Sequence, residues 1–392
     1  MTPSKMKYNF DEIISRKNTD SVKWDLAEDA EVLPMWVADM DFKTAPEIIE
    51  TLSEKIAHGV FGYGNIPENF HQSIIDWWQD YHQFTIQKDW LLPIPGMILS
   101  LSAIVRTFLK PGENIILQTP VYNHFFTIIE SCSFNVIENN LMYENGNYKI
   151  DFDDLAMKAS DTNTKMLLIS NPHNPVGRVW TRSELEKIAE ICSEHQVIVV
   201  SDEIHADLVF ENYQHIPFAS IAADYHLVSI TCGSPCKTFN LSGLSISYII
   251  SQDKNILNQI YKTLEIQETI YPNPMAADAL IAAYTKGRNW LDELKLYLWD
   301  NYQFLLKFCA EYLPEIKVIP LQATYLVWLD VSFLSQKSDE ISKLLLIEEK
   351  LWVNSGTMYG RAGEGFLRIN IACPREILIQ GLQKLENFYL NR

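Results

Sequence analysis

The sequence has no apolar run approaching the roughly 20 residues that cross a bilayer, so a membrane-spanning protein is not expected. Its opening stretch, MTPSKMKYNFDEIISRKNTD, lacks the apolar centre of a secretory leader, and the expected location is cytoplasmic. Positive charge is scarce: 32 Lys and Arg stand against 50 Asp and Glu, a formal net charge of −18. Such a chain repels phosphate backbones and anionic membrane surfaces, which argues against nucleic acid and membranes as partners. Cysteine is sparse as well. The six, at positions 132, 192, 232, 236, 309 and 373, are scattered without pairing pattern and read as free thiols. Cys232 and Cys236 form C-x3-C, but no second pair or histidine cluster lies near them, so small residues packed beside a site are expected rather than a metal or redox centre. There is no fixed-period repeat, no low-complexity tract and no Gly/Ser-rich linker.

What is present is the balance of a soluble enzyme, 47% hydrophobic and 21% charged over 392 residues, long enough for a large domain plus a smaller one. Apolar residues recur at helical spacing in APEIIETLSEKIAHG (45–59), PENFHQSIIDWWQDYHQF (67–84) and GMILSLSAIVRTFLKPG (96–112), the last stopped by Pro111-Gly112. Short apolar runs, NIILQTP, KMLLISNP, VIVVSDE, LVSITCGSP and SISYII, read as strands. Between two of them, TRSELEKIAEICSEHQ (181–196) opens with a Thr181-x-x-Glu184 capping box. Strand, helix, strand with apolar strands predicts an α/β domain, a mostly parallel central sheet covered by helices on both faces. Helical patterns fill 253–313. TYLVWLD, a helix near 338–350, FLRINIA and a helix from Pro374 follow, and predict a smaller α+β unit. The expected division is 46–286 for the large domain, with 1–45 and 287–392 forming the N-terminal arm and small domain.

Ligands of such sheets collect at the carboxyl ends of the strands, where the runs end in Tyr122, Asn171, Asn174, Asp202, His205, Ser234 and Lys237. Lys237 stands in CGSPCKTFNLSG among small, thiol and hydroxyl residues, an unusual setting for a solvated lysine. A lysine of lowered pKa in a fixed position forms Schiff bases well. The other groups suit a planar, electron-withdrawing cofactor with an aldehyde and a phosphate. Asp202 would keep its ring nitrogen protonated, Tyr122 would stack on the ring, and Asn174 would donate to the ring hydroxyl. Gly96, Met97 and Ile98 would present free helix N-terminal amides to the phosphate, with the Ser234 hydroxyl as a further donor. Arg368 in GFLRIN would grip an amino-acid carboxylate with two N–H groups. Taken singly, each has an ordinary reading. Asp202 caps a turn, Arg368 pairs with a surface carboxylate, Tyr122 packs, and Asn174 initiates an Asn-Pro turn. The combination, in order, on strand ends carries the case.

The order NPHNPVG, SDEIH, SPCKTFNLSG, FLRIN resembles the fold-type I pyridoxal-phosphate enzymes of the class I/II aminotransferase superfamily. LPMWVADMDF (33–42), FGYG (61–64), NPHNPVGRVW and SDEIHADL are similar to its MalY/PatB branch, the bacterial cystathionine β-lyases or C–S lyases. The resemblance implies pyridoxal 5'-phosphate as cofactor and Lys237 as the Schiff-base lysine. It also implies the roles above for Asp202, Asn174, Tyr122, Ser234 and the Gly96–Ile98 turn, with His205 beside the cofactor. Trp36, Tyr63, Asn174 and Arg368 are implied on the substrate side. Tyr63 corresponds to a tyrosine that reaches the phosphate of a neighbouring subunit, which implies a homodimer with shared active sites. No metal is implied. Two positions depart from the pattern. Cys236 replaces the usual serine before the lysine, and Ser245 stands where aspartate-aminotransferase-like relatives carry a phosphate-binding arginine. The second favours the lyase branch. GYG and GRAGEG are poor dinucleotide fingerprints, and a nicotinamide cofactor is set aside.

The reaction implied is β-elimination from cystathionine, cysteine or a cysteine S-conjugate, with Lys237 taking the Cα proton and pyruvate, ammonia and a thiol leaving. Two alternatives stay open: an aminotransferase using the same lysine, and a protein of this fold with an added regulatory, protein-binding role.

Overall fold

The computed structural model of the chain describes residues 6–270 and 273–392, so the first five residues of the expected N-terminal arm lie outside the described residues. In chain order the strands begin with β1 (Leu33–Pro34), β2 (Leu91–Ile94), β3 (Asn114–Thr119) and β4 (Asn135–Asn140). A hairpin of β5 (Met142–Glu144) and β6 (Asn147–Lys149) precedes β7 (Thr164–Ser170), β8 (Ile198–Asp202), β9 (Ser229–Gly233) and β10 (Ser247–Ile250). Last come β11 (Lys317–Val318), β12 (Leu326–Asp330), β13 (Leu351–Trp352), β14 (Asn354–Ser355) and β15 (Phe366–Asn370).

Seven strands form the central sheet in the order β2-β10-β9-β8-β7-β3-β4. β4, β3, β7, β8 and β9 pair in parallel, as their uninterrupted apolar runs predict. β10 is antiparallel to both β9 and β2, so SISYII is the exception to the parallel pattern. Only one short 3-10 turn, Ser242–Leu244, lies between β9 and β10. With no crossover helix to carry the chain back, the strand returns in the opposite direction. β2, the LLPI segment, was not among the expected strands because its four residues are too short and proline-broken to stand out.

Alternate residues of the strands serve the two faces. Ile115, Leu117, Met166, Leu168, Val200 and Ile230 pack on one side with helices Met97–Phe108, Asn123–Ser131 and Lys254–Ile266. Ile116, Leu167, Ile169 and Val199 pack on the other with helices Arg182–Glu194 and Phe218–Ala222. Each such side chain contributes about 1.5–3 kcal/mol by leaving water. The Thr181–Glu184 capping box forms as its spacing predicts. The helix expected over 96–112 stops at Phe108, where Leu109 turns extended ahead of Pro111.

A four-stranded antiparallel sheet, β11-β12-β15-β14, follows the long helix Arg288–Tyr312. β1 pairs in parallel with β13, fastening the N-terminal segment to the C-terminal part. The two parts share one core. Phe42, Trp77, Phe239, Leu280 and Trp290 belong to the same buried cluster as Val327 on β12 and Ile369 on β15.

Candidate active site

Five strands of the central sheet deliver their C-terminal ends to one cavity of about 540 Å³. β2 runs through Pro95 into Gly96, Met97 and Ile98; β3 leads to Tyr122, and β7 ends in Ser170 ahead of Asn174. β8 ends in Asp202 with His205 just beyond, and β9 leads into Ser234, Cys236 and Lys237. All of these residues line the cavity. Asn171 does not. Its amide turns away to the Ile216 carbonyl at 3.0 Å.

After β9 the chain tightens into a turn, with Phe239 N–H on the Pro235 carbonyl and Leu241 N–H on that of Cys236, both at 2.9 Å. Side chains flanking Lys237 anchor this turn in different directions. The Cys236 thiol is buried and reaches the Leu241 and Ile246 carbonyls at 3.4 Å. The Thr238 hydroxyl donates to Asp207 at 2.8 Å, and the Asn240 amide donates to the Met40 and Phe42 carbonyls. Lys237 is left to enter the cavity, its Nζ donating to the Ala38 carbonyl at 2.6 Å. Loss of solvent holds its ammonium below the usual lysine range. Ser234 also faces the cavity, but its hydroxyl already donates to the Ile246 carbonyl at 2.6 Å and accepts the Cys236 N–H at 3.1 Å.

Asp202 is buried, and one of its oxygens accepts the Ile204 N–H at 3.1 Å. The turn-capping reading is thus true of that oxygen. Burial pushes the carboxyl up to about 7, the Glu203 charge adds to this, and the Ile204 N–H and Lys237 offset it in part. A carboxyl in this state accommodates a cationic N–H partner facing it from the cavity. His205 is driven down to about 3 by burial and by Lys237 and Arg368, and its Nδ1 has no partner among the described residues. It is a neutral ring. The Tyr122 phenol is held above its ordinary range by burial and the Asp202 charge.

Gly96 precedes the helix Met97–Phe108 with φ 111° and ψ 150°, and no side chain caps the helix. That backbone region is open essentially to glycine alone. Its consequence is a helix N-terminus whose first amides point at the cavity without a side-chain acceptor, the usual cradle for a phosphate. Ser245 lies close by, its Cβ 3.6 Å from the position a Gly96 Cβ would take.

Arg368, on β15, is buried and tied to the cavity wall through Asn174. Its Nη1 donates to the Asn174 side-chain oxygen at 3.0 Å and its Nη2 to the Trp36 carbonyl at 2.8 Å, while its guanidinium lies over the Tyr359 ring. Its Nε has no partner among the described residues. Trp36 therefore meets Arg368 through its backbone, because its indole is stacked on Trp352 with centroids 4.4 Å apart. Tyr63 is fully exposed and lines a separate surface hollow with Val60, Phe61 and Met275. Ala38 and Ser170 were missed by sequence reasoning. Ala38 acts through a carbonyl, which leaves no trace in side-chain chemistry, and Ser170 accepts the Asn174 N–H at 3.2 Å. A buried carboxyl, an amine of lowered basicity, an aromatic wall and an uncapped helix N-terminus fit a planar, phosphorylated aldehyde. No group of three or more metal-binding side chains occurs among the described residues.

Residues 30–385 match the family model of aminotransferase class I and II. Over 382 residues the chain is 38% identical to the cystathionine beta-lyase PatB of Bacillus subtilis, covering 96% of this chain and 99% of that protein. The crystal structure of cystalysin from Treponema denticola, which contains a pyridoxal 5'-phosphate cofactor, superposes with a TM-score of 0.95 at 35% identity, covering 98% of this chain and 100% of that one. A pyridoxal-phosphate-bound C–S lyase from Staphylococcus hominis superposes with a TM-score of 0.91 at 33% identity, covering 98% and 100%.

Proposed function

The chain belongs to the class I and II aminotransferase family, and within it we propose a pyridoxal-phosphate-dependent carbon–sulfur β-lyase that releases a thiol, pyruvate and ammonia from cystathionine or another cysteine thioether. The observation that carries this reading is the convergence of Lys237 and Asp202 on one cavity beside an uncapped helix N-terminus, in a chain alike over nearly its whole length to a cystathionine beta-lyase.

Lys237 would hold the cofactor through its aldehyde carbon, the amides at Gly96–Ile98 would receive the phosphate, Tyr122 would pack on the ring and Asn174 would donate to the ring hydroxyl. When bound, the cofactor supplies an electron sink for the charge left at the substrate Cα. Asp202 would keep the cofactor's ring nitrogen protonated. Arg368, steadied by Asn174 and the Trp36 carbonyl, orients the substrate carboxylate so that Cα faces Lys237. Once the substrate amine has displaced it from the aldehyde carbon, the freed Lys237 amine, less basic than a solvated lysine, would take the Cα proton. With that proton gone, the thiolate would leave from Cβ and take up a proton, and one water would hydrolyse the remaining three-carbon fragment to pyruvate and ammonia.

The family also contains aminotransferases, which use the same lysine, so the deciding experiment omits any keto acid. Purified enzyme given cystathionine alone should release pyruvate and thiol in equal amounts. Product formation that depends on an added keto acid would move the chain to the transaminases.

We also propose a homodimer. Ile56, Val60, Phe61 and Tyr63 form an exposed apolar strip, which a second copy would cover while Tyr63 reaches the neighbour's phosphate. A fully active monomer by light scattering would remove this. A cytoplasmic site is supported by six free cysteines; no described helix is long and apolar enough to cross a membrane.

A further inference from the structure

Behind the cavity lies a set of buried polar groups that the proposed reaction does not use. Asp207 is buried and accepts three hydrogen bonds: Trp77 Nε1 at 3.0 Å and His82 Nε2 at 2.8 Å on one oxygen, and the Thr238 hydroxyl at 2.8 Å on the other. Burial alone would raise its carboxyl, but these donors hold it below the usual carboxylate range. His82, by contrast, is kept neutral by burial. Its ring meets that of His215 edge-on, with centroids 5.2 Å apart. His215 Nε2 is 2.7 Å from Glu203, and Glu203 also accepts the Ser201 hydroxyl at 2.8 Å and the Phe218 N–H at 2.9 Å.

The two ends of this chain of contacts are what give it meaning. One end is Thr238, the residue after Lys237; the other is Glu203, the residue after Asp202. Asp202 ends β8 and Lys237 lies in the turn after β9, yet each is followed by a side chain locked into the same buried network. Replacing all of these groups by apolar ones would serve burial as well, since buried ionic networks are weak devices for stability. A network that ends beside both residues has a geometric use. We propose that Thr238 and Asp207, braced by His82, His215 and Glu203, are positioning residues that set the separation of the Lys237 amine from the Asp202 carboxylate, and so the seat of the cofactor between its aldehyde end and its ring nitrogen.

This rests on the lyase reading for its kinetic arm only. The test is Thr238→Val, which keeps the shape of the side chain and removes the hydroxyl, beside Thr238→Ser, which restores it. Misplacement of a reacting group by a fraction of an ångström to an ångström costs up to about a hundred-fold. Thr238→Val should therefore lose roughly ten- to hundred-fold in kcat per cofactor-loaded site with KM within about two-fold, and Thr238→Ser should recover most of it. The visible circular dichroism of bound pyridoxal phosphate, which reports ring orientation and needs no substrate, should change in the valine variant and return in the serine one. An unchanged dichroic band and kcat in Thr238→Val, even with a lowered Tm, would overturn the proposal and leave the network a structural one. If the wild type released no pyruvate, the lyase reading would fail, while the dichroic comparison would still decide this one. Should Thr238→Val not fold, Asp207→Asn must show the same altered band and kcat-selective loss, or the proposal falls.

Discussion

Replacing Arg368 by lysine tests substrate recognition apart from cofactor chemistry. Arg368 is 4% exposed, and two of its guanidinium nitrogens are committed, to Asn174 at 3.0 Å and to the Trp36 carbonyl at 2.8 Å. These contacts hold the plane of the group, which the Tyr359 ring also faces. A lysine carries its N–H groups on one atom. It cannot satisfy both oxygens and still offer two parallel donors to a carboxylate. One charge-assisted hydrogen bond is worth about 1.5–3 kcal/mol, and the burial of the site prevents water from replacing it. At about 1.4 kcal/mol per decade, kcat/KM for pyruvate release should fall roughly ten- to hundred-fold. Cofactor content and its visible absorbance should not change, because Arg368 is assigned to the substrate and not to the cofactor. The opposite pattern, lost cofactor with normal kinetics in the fraction that keeps it, would refute the assignment.

Lys237→Ala should abolish borohydride-reducible attachment of the cofactor and nearly all turnover, and wild-type pyruvate release from this variant would end the central reading. Asp202→Asn should slow Cα-proton exchange along with elimination, measured by loss of substrate deuterium; elimination falling alone would exclude Asp202 as the ring-nitrogen partner. The ligand-free protein offers a second check on Asp202, whose folded value of about 7 lies above the ordinary carboxylate value of about 3.9. Its stabilising contribution is then complete below about pH 4 and is lost as pH rises through about 7, on the order of 4 kcal/mol in all at about 1.4 kcal/mol per pH unit. Urea unfolding across that range should show a flatter profile for ligand-free Asp202→Asn, and parallel profiles would mean that the carboxyl titrates normally. Gly96→Ala should lower Tm and weaken pyridoxal phosphate binding through backbone strain of about 1–3 kcal/mol, since the added Cβ meets only Ser245, at 3.6 Å or more; unchanged affinity would show that the turn does not cradle the phosphate.

The sequence by itself determined the elements whose pattern is local and strong. Uninterrupted apolar runs read as the parallel strands, Thr181 and Glu184 as a helix start, and the polar residues closing those runs as the rim of a site, because strand ends and their side chains follow from the chain's own periodicity. NPHNPVG, SDEIH and SPCKTFNLSG therefore located Asn174, Asp202 and Lys237 at the mouth of the sheet. Contacts between distant segments were decided only by tertiary structure. The direction of β10 depends on the missing crossover between it and β9. The Ala38 carbonyl meets Lys237 across 199 positions of sequence, and a carbonyl has no residue-type signature to betray it. The indole of Trp36 is taken by Trp352, leaving only its backbone to Arg368. Thr238, beside the lysine, reads as an ordinary loop threonine until folding brings Asp207 against it. Periodicity is written along the chain, whereas these pairings arise only when loops from separate strands are packed around one cavity.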